Sequence, residues 1–252
     1  IFLCFCLFAF LSSIWSSVIS PATTILEAQP NINSSQLAIA LGIPTKTSDG
    51  QSIDLTTFNP FAADADPDVA LAVEKAAQQV MVTIKAVSAA AEGAGMSADI
   101  AFAKAMESVA EVVSNTAKTI DTSSEEAIAQ AEESVKKGEI QKIDLSDTEV
   151  LNSVTSTVQT KVEEVAASDT TITIDKDALS AVLETTKTAV ANVVSSIEAI
   201  TDTDLNSSAS KGIFATITDI SSEVKLLSPL ANSTIFLSKI LIWSPFLNCP
   251  LT

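Results

Sequence analysis

From Val69 onward, apolar residues return at every third or fourth position, so that Val69, Val73, Ala76, Val80, Ile84, Val87 and Ala91 share one side of a helix. The pattern opens at Asp66-Pro67 and stops at Glu92-Gly93-Ala94-Gly95, where glycine ends a helix readily. Ser97 caps a second helix with a face of Phe102, Met106, Val109, Val113, Ala117 and Ile120. A short charged helix opens with Ser123 and Glu126 at capping-box spacing and ends near Lys136, Lys137 and Gly138, where cations suit the negative end of the dipole. Ser146 and Glu149 repeat that spacing before a face of Leu151, Val154, Val158, Val162 and Val165. Asp175 to Ile200 carries Leu179, Leu183, Val190, Val194 and Ile197, and a last helix is predicted near Ile213, Ile217, Ile220, Val224 and Leu227.

These stretches are rich in Val and Thr, whose β-branching disfavours helix by at most about 0.7 kcal/mol per residue. Each buried Val or Ile returns about 1.5–3 kcal/mol, so periodicity outweighs propensity. Helices of this length with short, capped breaks pack as antiparallel hairpins. The expected fold is all-α: an antiparallel helical bundle or a chain of helical hairpins, with apolar segments at either end. Thr170 to Ile174, TTITI, alternates as a short strand would. The stretch GEIQKIDLSD at 138–147 shares its Ile-Asp flavour, a weak internal duplication of an extended lead-in before a capped helix.

Four regions follow: an apolar segment at 1–20, an extended lead-in with a short helix at 21–66, an acidic helical bundle at 67–227 and an apolar tail at 228–252. The run IFLCFCLFAFLSSIWSSVIS has the roughly 20 residues a membrane span needs. It reads as a span, a truncated signal or an out-of-frame stretch, and the tail is broken by Lys239, Pro245 and Pro250. With Ile1 first and Met81 the first methionine, the sequence reads as a fragment. Cys4, Cys6 and Cys249 lie in these ends and form neither a disulfide framework nor a zinc spacing.

Charge then narrows function. The 14 basic residues are all lysine, there is no His, Arg or Tyr, and 31 acids leave a formal charge of −17. Without His the usual nucleophile–base pairs and imidazole metal sites cannot be built from this chain, and without Arg there is no bidentate anion clamp. A surface of this sign repels nucleic acid. Carboxylates are therefore the remaining candidates for chemistry. Asp64, Asp66 and Asp68 alternate like the start of an EF-hand loop, but Val69 stands where glycine is needed and Lys75 where the bidentate Glu belongs. Asp66 reads instead as an N-cap, Pro67 as the first helical residue and Asp68 as a first-turn acid.

Asp202 and Asp204 read as solvated caps. The adjacent pairs Glu125-Glu126, Glu132-Glu133 and Glu163-Glu164 do not face each other on a helix and form solvated faces. Asn33-Ser34-Ser35, Asn206-Ser207-Ser208 and Asn232-Ser233-Thr234 match glycosylation acceptors by chance in a Ser/Thr-rich chain. The expectation is of no catalytic, metal or cofactor residue.

ISPATTILEA at 19–28, LAIALGIP at 37–44, IDLTTFNPFA at 53–62, AVEKAAQQVM at 72–81 and AAEGAG at 90–95 occur in this order. In that order they resemble helical segments of very large secreted proteobacterial proteins of the calcium-dependent adhesin type, with cadherin-like, VCBS or RTX repeats elsewhere. The resemblance covers residues 19 to 120 and, more loosely, the helices that follow. It implies a secreted or cell-surface setting and a non-catalytic structural or adhesive spacer, whose partners are neighbouring domains of the same large chain or another protein. The alternative is a small membrane-tethered acidic helical protein, anchored through residues 1–20 and binding a protein partner.

Overall fold

The computed structural model describes residues 18–205 and 207. Their regular structure is all helix, as the periodicity predicts: α1 is Pro21–Ala28, α2 Ser34–Ala40, α3 Pro67–Gly93, α4 Ala98–Ala117, α5 Glu125–Lys136, α6 Thr148–Ser168 and α7 Lys176–Glu198. Among the described residues there is no strand, only one isolated bridge between Lys46 and Ser52. The predicted helix near 213–227, the tail at 228–252 and all but the last residues of the 1–20 segment lie outside the described residues.

The four long helices make the bundle. α3 packs on α4 and α7, α4 on α6, and α6 on α7. The direction of each follows from its contacts. Lys75 near the start of α3 meets Glu198 at the end of α7, while Asp175 before α7 donates its N–H to the Ala94 carbonyl after α3. Lys176 reaches Glu163 and Lys187 reaches Asn152, which sets α7 antiparallel to α6. With the short turn between α3 and α4, every neighbour runs antiparallel. Helices α1 and α2 lie across α3 and α4, and α5 packs on α2.

All seven apolar positions read on α3, Val69 through Ala91, are buried, as are all five on α7. On α4 the expected face is rotated: Phe102 is exposed, and Ala101, Ala105, Ser108 and Val112 join Val109, Val113 and Ala117 inside. On α3, Ala86, Ala89, Ala90 and Ala91 are buried too, so the two helices in contact both carry small buried side chains. Val165 on α6 is only partly buried. Thr83, Thr155, Thr186 and Ser108 sit in the core because each hydroxyl donates to the carbonyl four residues back, which satisfies it without a partner from another helix.

The helix starts are set by side chains, with a shift of one residue in two places. Ser124 rather than Ser123 accepts from Ala127 N–H at the start of α5, and Asp147 rather than Ser146 accepts from Glu149 and Val150 N–H at the start of α6. Ser97 makes no side-chain cap bond. The displaced serines are held in turns instead: Ser123 N–H donates to Asp121 and Ser146 N–H to Asp144. In the lead-in, two helices form where one was expected. Ser20 with Thr23 and Asn33 with Gln36 are both reciprocal capping boxes, so each of these short segments has its own start signal.

TTITI is not a strand: Thr170 and Thr171 lie in a turn held by Asp169, and the residues that follow dock on an earlier helix end. Ile143 in the first lead-in donates its N–H to Ala40 at 2.7 Å, beside Gly42 at the end of α2. Asp175 in the second donates to Ala94 at 3.2 Å, beside Gly95 at the end of α3. Both lead-ins therefore satisfy a carbonyl left over at the C-terminus of an earlier helix. At Gly95, with φ +111°, a Cβ would lie 2.7 Å from the Thr173 carbonyl oxygen, so only glycine permits this approach.

Candidate functional site

The aspartate run at 64–68 is assembled as a helix start. The Asp66 Oδ1 accepts from Asp68 and Val69 N–H, each at 3.1 Å, and Oδ2 accepts from Ser48 N–H at 2.8 Å. Hydrogen bonds from Ser48, through its hydroxyl and then its N–H, and from Val69 hold the Asp66 carboxyl down to about 2. The residue thus ties the 46–52 turn to α3. Asp64 does not converge on it, and no cluster of three or more metal-ligating side chains exists among the described residues.

The adjacent glutamates separate onto different partners. Glu132 Oε1 accepts from both the N–H and the hydroxyl of Thr45 at 2.7 Å, whereas Glu133 pairs with Lys137. Glu125 pairs with Lys46, while its own helix-start N–H and then the Ser124 hydroxyl hold Glu126 below the ordinary carboxylate range. Glu163 is lowered by Lys176 and then Gln159. Asp202 accepts from Asp204 N–H and the Ser207 hydroxyl, so that pair too forms a turn. Asn33 accepts from Gln36 N–H and donates to the Thr122 hydroxyl at 2.9 Å, a cap and a tie to the loop before α5.

Two arrangements escaped the sequence. Glu198 takes Gln79 Nε2 at 2.8 Å, with Lys75 at 3.5 Å and Lys142 at 3.8 Å. Burial pushes its carboxyl up, but the Gln79 amide and the two cations outweigh it and leave the group below its usual range. Lys75 also donates to the Glu198 and Ile200 carbonyls, closing the end of α7. These residues are far apart in the chain, so no local spacing reveals them.

The second is a groove of about 350 Å³ bounded by the start of α1, the 55–61 loop and one face of α3. Phe58, Phe61, Val73, Ala77 and Met81 line it, and Glu74 stands among them with its Oε1 accepting from Gln78 Nε2 at 2.7 Å. Burial pushes the Glu74 carboxyl up, and the Gln78 bond only partly offsets this. Glu74 is the sole titratable residue of the lining. A sequence signal did exist: Glu74, Ala77, Gln78 and Met81 share one helical face, and that face has a single acid.

Comparison with family profiles, with characterised proteins and with solved structures finds no match. The geometry must therefore carry the functional reading. What it offers is a set of carboxylates engaged in caps, turns and ion pairs, and one apolar groove holding a lone acid. Among the described residues, no helix is long and apolar enough to cross a membrane.

Proposed function

We propose that the chain is a non-catalytic structural or adhesive spacer module of a large cell-surface or secreted protein, its bundle setting the distance between neighbouring domains. The observation that carries this reading is the use made of the acids. Asp66, Asp147 and Asp175 start helices, Asp54, Asp121, Asp144 and Asp169 close turns, and Glu111, Glu163 and Glu198 join elements. A carboxylate that performs general acid or base chemistry needs a cleft and a reacting partner in reach; these are fixed by the fold they support. The resemblance of the ordered phrases at 19–95 to segments of giant exported proteins supports the same assignment. The apolar run at 1–20 supports a second reading, a small membrane-tethered helical protein.

One immunoblot separates the two readings. Antiserum to the bundle is applied to culture medium, washed intact cells, membranes and cytosol of the cells that make the chain. The spacer reading expects a band far above 26.3 kDa in the medium or on the cell surface. A band near 26.3 kDa that stays with the membranes until detergent is added supports the tethered protein, and a cytosolic band of that size defeats both.

A further inference from the structure

The groove beside Glu74 has features that the fold does not need. Phe61 is 54% exposed at its rim and Ile19 88% exposed. The floor is apolar, yet it holds a carboxylate that none of the lysines among the described residues approaches; only the Gln78 amide meets it. A carboxylate set in apolar surroundings without a cation is poorly solvated, and an incoming positive charge relieves that. An anion is repelled, and a purely apolar guest would bury the acid unpaired. A metal ion needs several donors, and this lining supplies one carboxylate. The formal charge of −17 also favours the approach of cationic segments over long range.

We propose that this groove receives a segment of another protein in which large apolar side chains flank a lysine or arginine, the apolar groups lying against Phe58, Phe61 and Met81 and the cation pairing with Glu74. The assignment goes beyond the spacer role and stands whether or not the chain is exported. Recognition is apolar in area and ionic in choice: the aromatic rim supplies the contact surface, and the acid rejects segments that lack a cation.

The test is fluorescence anisotropy with the full chain at pH 7. One labelled helical peptide carries leucine and phenylalanine around a central lysine, and its twin carries glutamine at that position. The lysine peptide should bind at least about tenfold tighter than the glutamine peptide. Glu74→Gln should remove that preference while keeping the wild-type melting temperature or raising it, and Phe61→Ser, at an exposed position, should weaken both peptides. Equal binding of the two peptides, a lysine preference that survives Glu74→Gln, or no binding up to ~1 mM overturns the proposal. Self-association of the chain that Phe61→Ser abolishes, without peptide binding, assigns the groove to a second copy and also overturns it.

Discussion

Replacing Gly95 by alanine probes the contact by which the α7 lead-in locks onto α3. The residue has φ +111°, and the added Cβ would lie 2.7 Å from the Thr173 carbonyl oxygen. The atom it meets is backbone, so no side chain can swing away to make room. Holding alanine at such a φ costs about 1–3 kcal/mol. Displacing the 170–175 segment also lengthens the 3.2 Å bond from Asp175 N–H to the Ala94 carbonyl, a loss of about 1 kcal/mol. Together the cost is roughly 3 kcal/mol, or a fall in melting temperature of about 6–12 °C for a chain of this size. Gly138 is the control, since at φ +73° its added Cβ meets nothing within 4 Å. Gly138→Ala should therefore cost only about 1 kcal/mol, roughly 2–4 °C. Both are read by circular dichroism melts and urea titration. Equal effects of the two substitutions would refute the docking of TTITI on the end of α3.

Val80→Asp and Val109→Asp each place an unpaired charge at a position that is 1% and 0% exposed, so each should cost about 4 kcal/mol or more and leave the chain largely unfolded in far-ultraviolet circular dichroism. The pH dependence has two opposing parts. Asp66 has its carboxyl at about 2, well below the unfolded value near 3.9, so its stabilisation is complete above the unfolded value and is lost as pH falls toward 2. Glu74 is raised, so its contribution is present below the unfolded value near 4.3 and is lost as pH rises through the folded one. Melts from pH 2 to 8 should show Asp66→Asn flattening the acid limb, and Glu74→Gln gaining stability relative to wild type only above pH 4; the reverse signs would contradict both assignments.

The bundle was legible because burial in a helix leaves a period in the sequence. The seven apolar positions read on α3 are all buried, but Leu71, Val82, Ala86, Ala89 and Ala90 are buried as well, because α3 is covered on more than one side, and on α4 Phe102 falls outside the buried face. The caps were legible to within one residue: Ser-Ser-Glu-Glu and Ser-Asp-Thr-Glu each hold two competent acceptors, and the turn made by the preceding aspartate decides which one caps. The lead-ins showed their Ile-Asp likeness, but their docking on the ends of α2 and α3 is tertiary. The Glu198 network is illegible for the same reason. The Glu74 groove lies between these cases, with its acid visible on the helical face but its aromatic wall supplied by the 55–61 loop.

The central claim, that aspartates such as Asp66 hold helix starts and turns rather than a metal, is tested most directly by melting wild type, Asp64→Asn and Asp66→Asn in millimolar calcium and in chelator. The account predicts one melting temperature for wild type in both solutions, a lower one for Asp66→Asn in both, and no change for Asp64→Asn. A calcium-dependent rise of several degrees in wild type, abolished by Asp64→Asn, would contradict it and make the 64–68 run a metal loop.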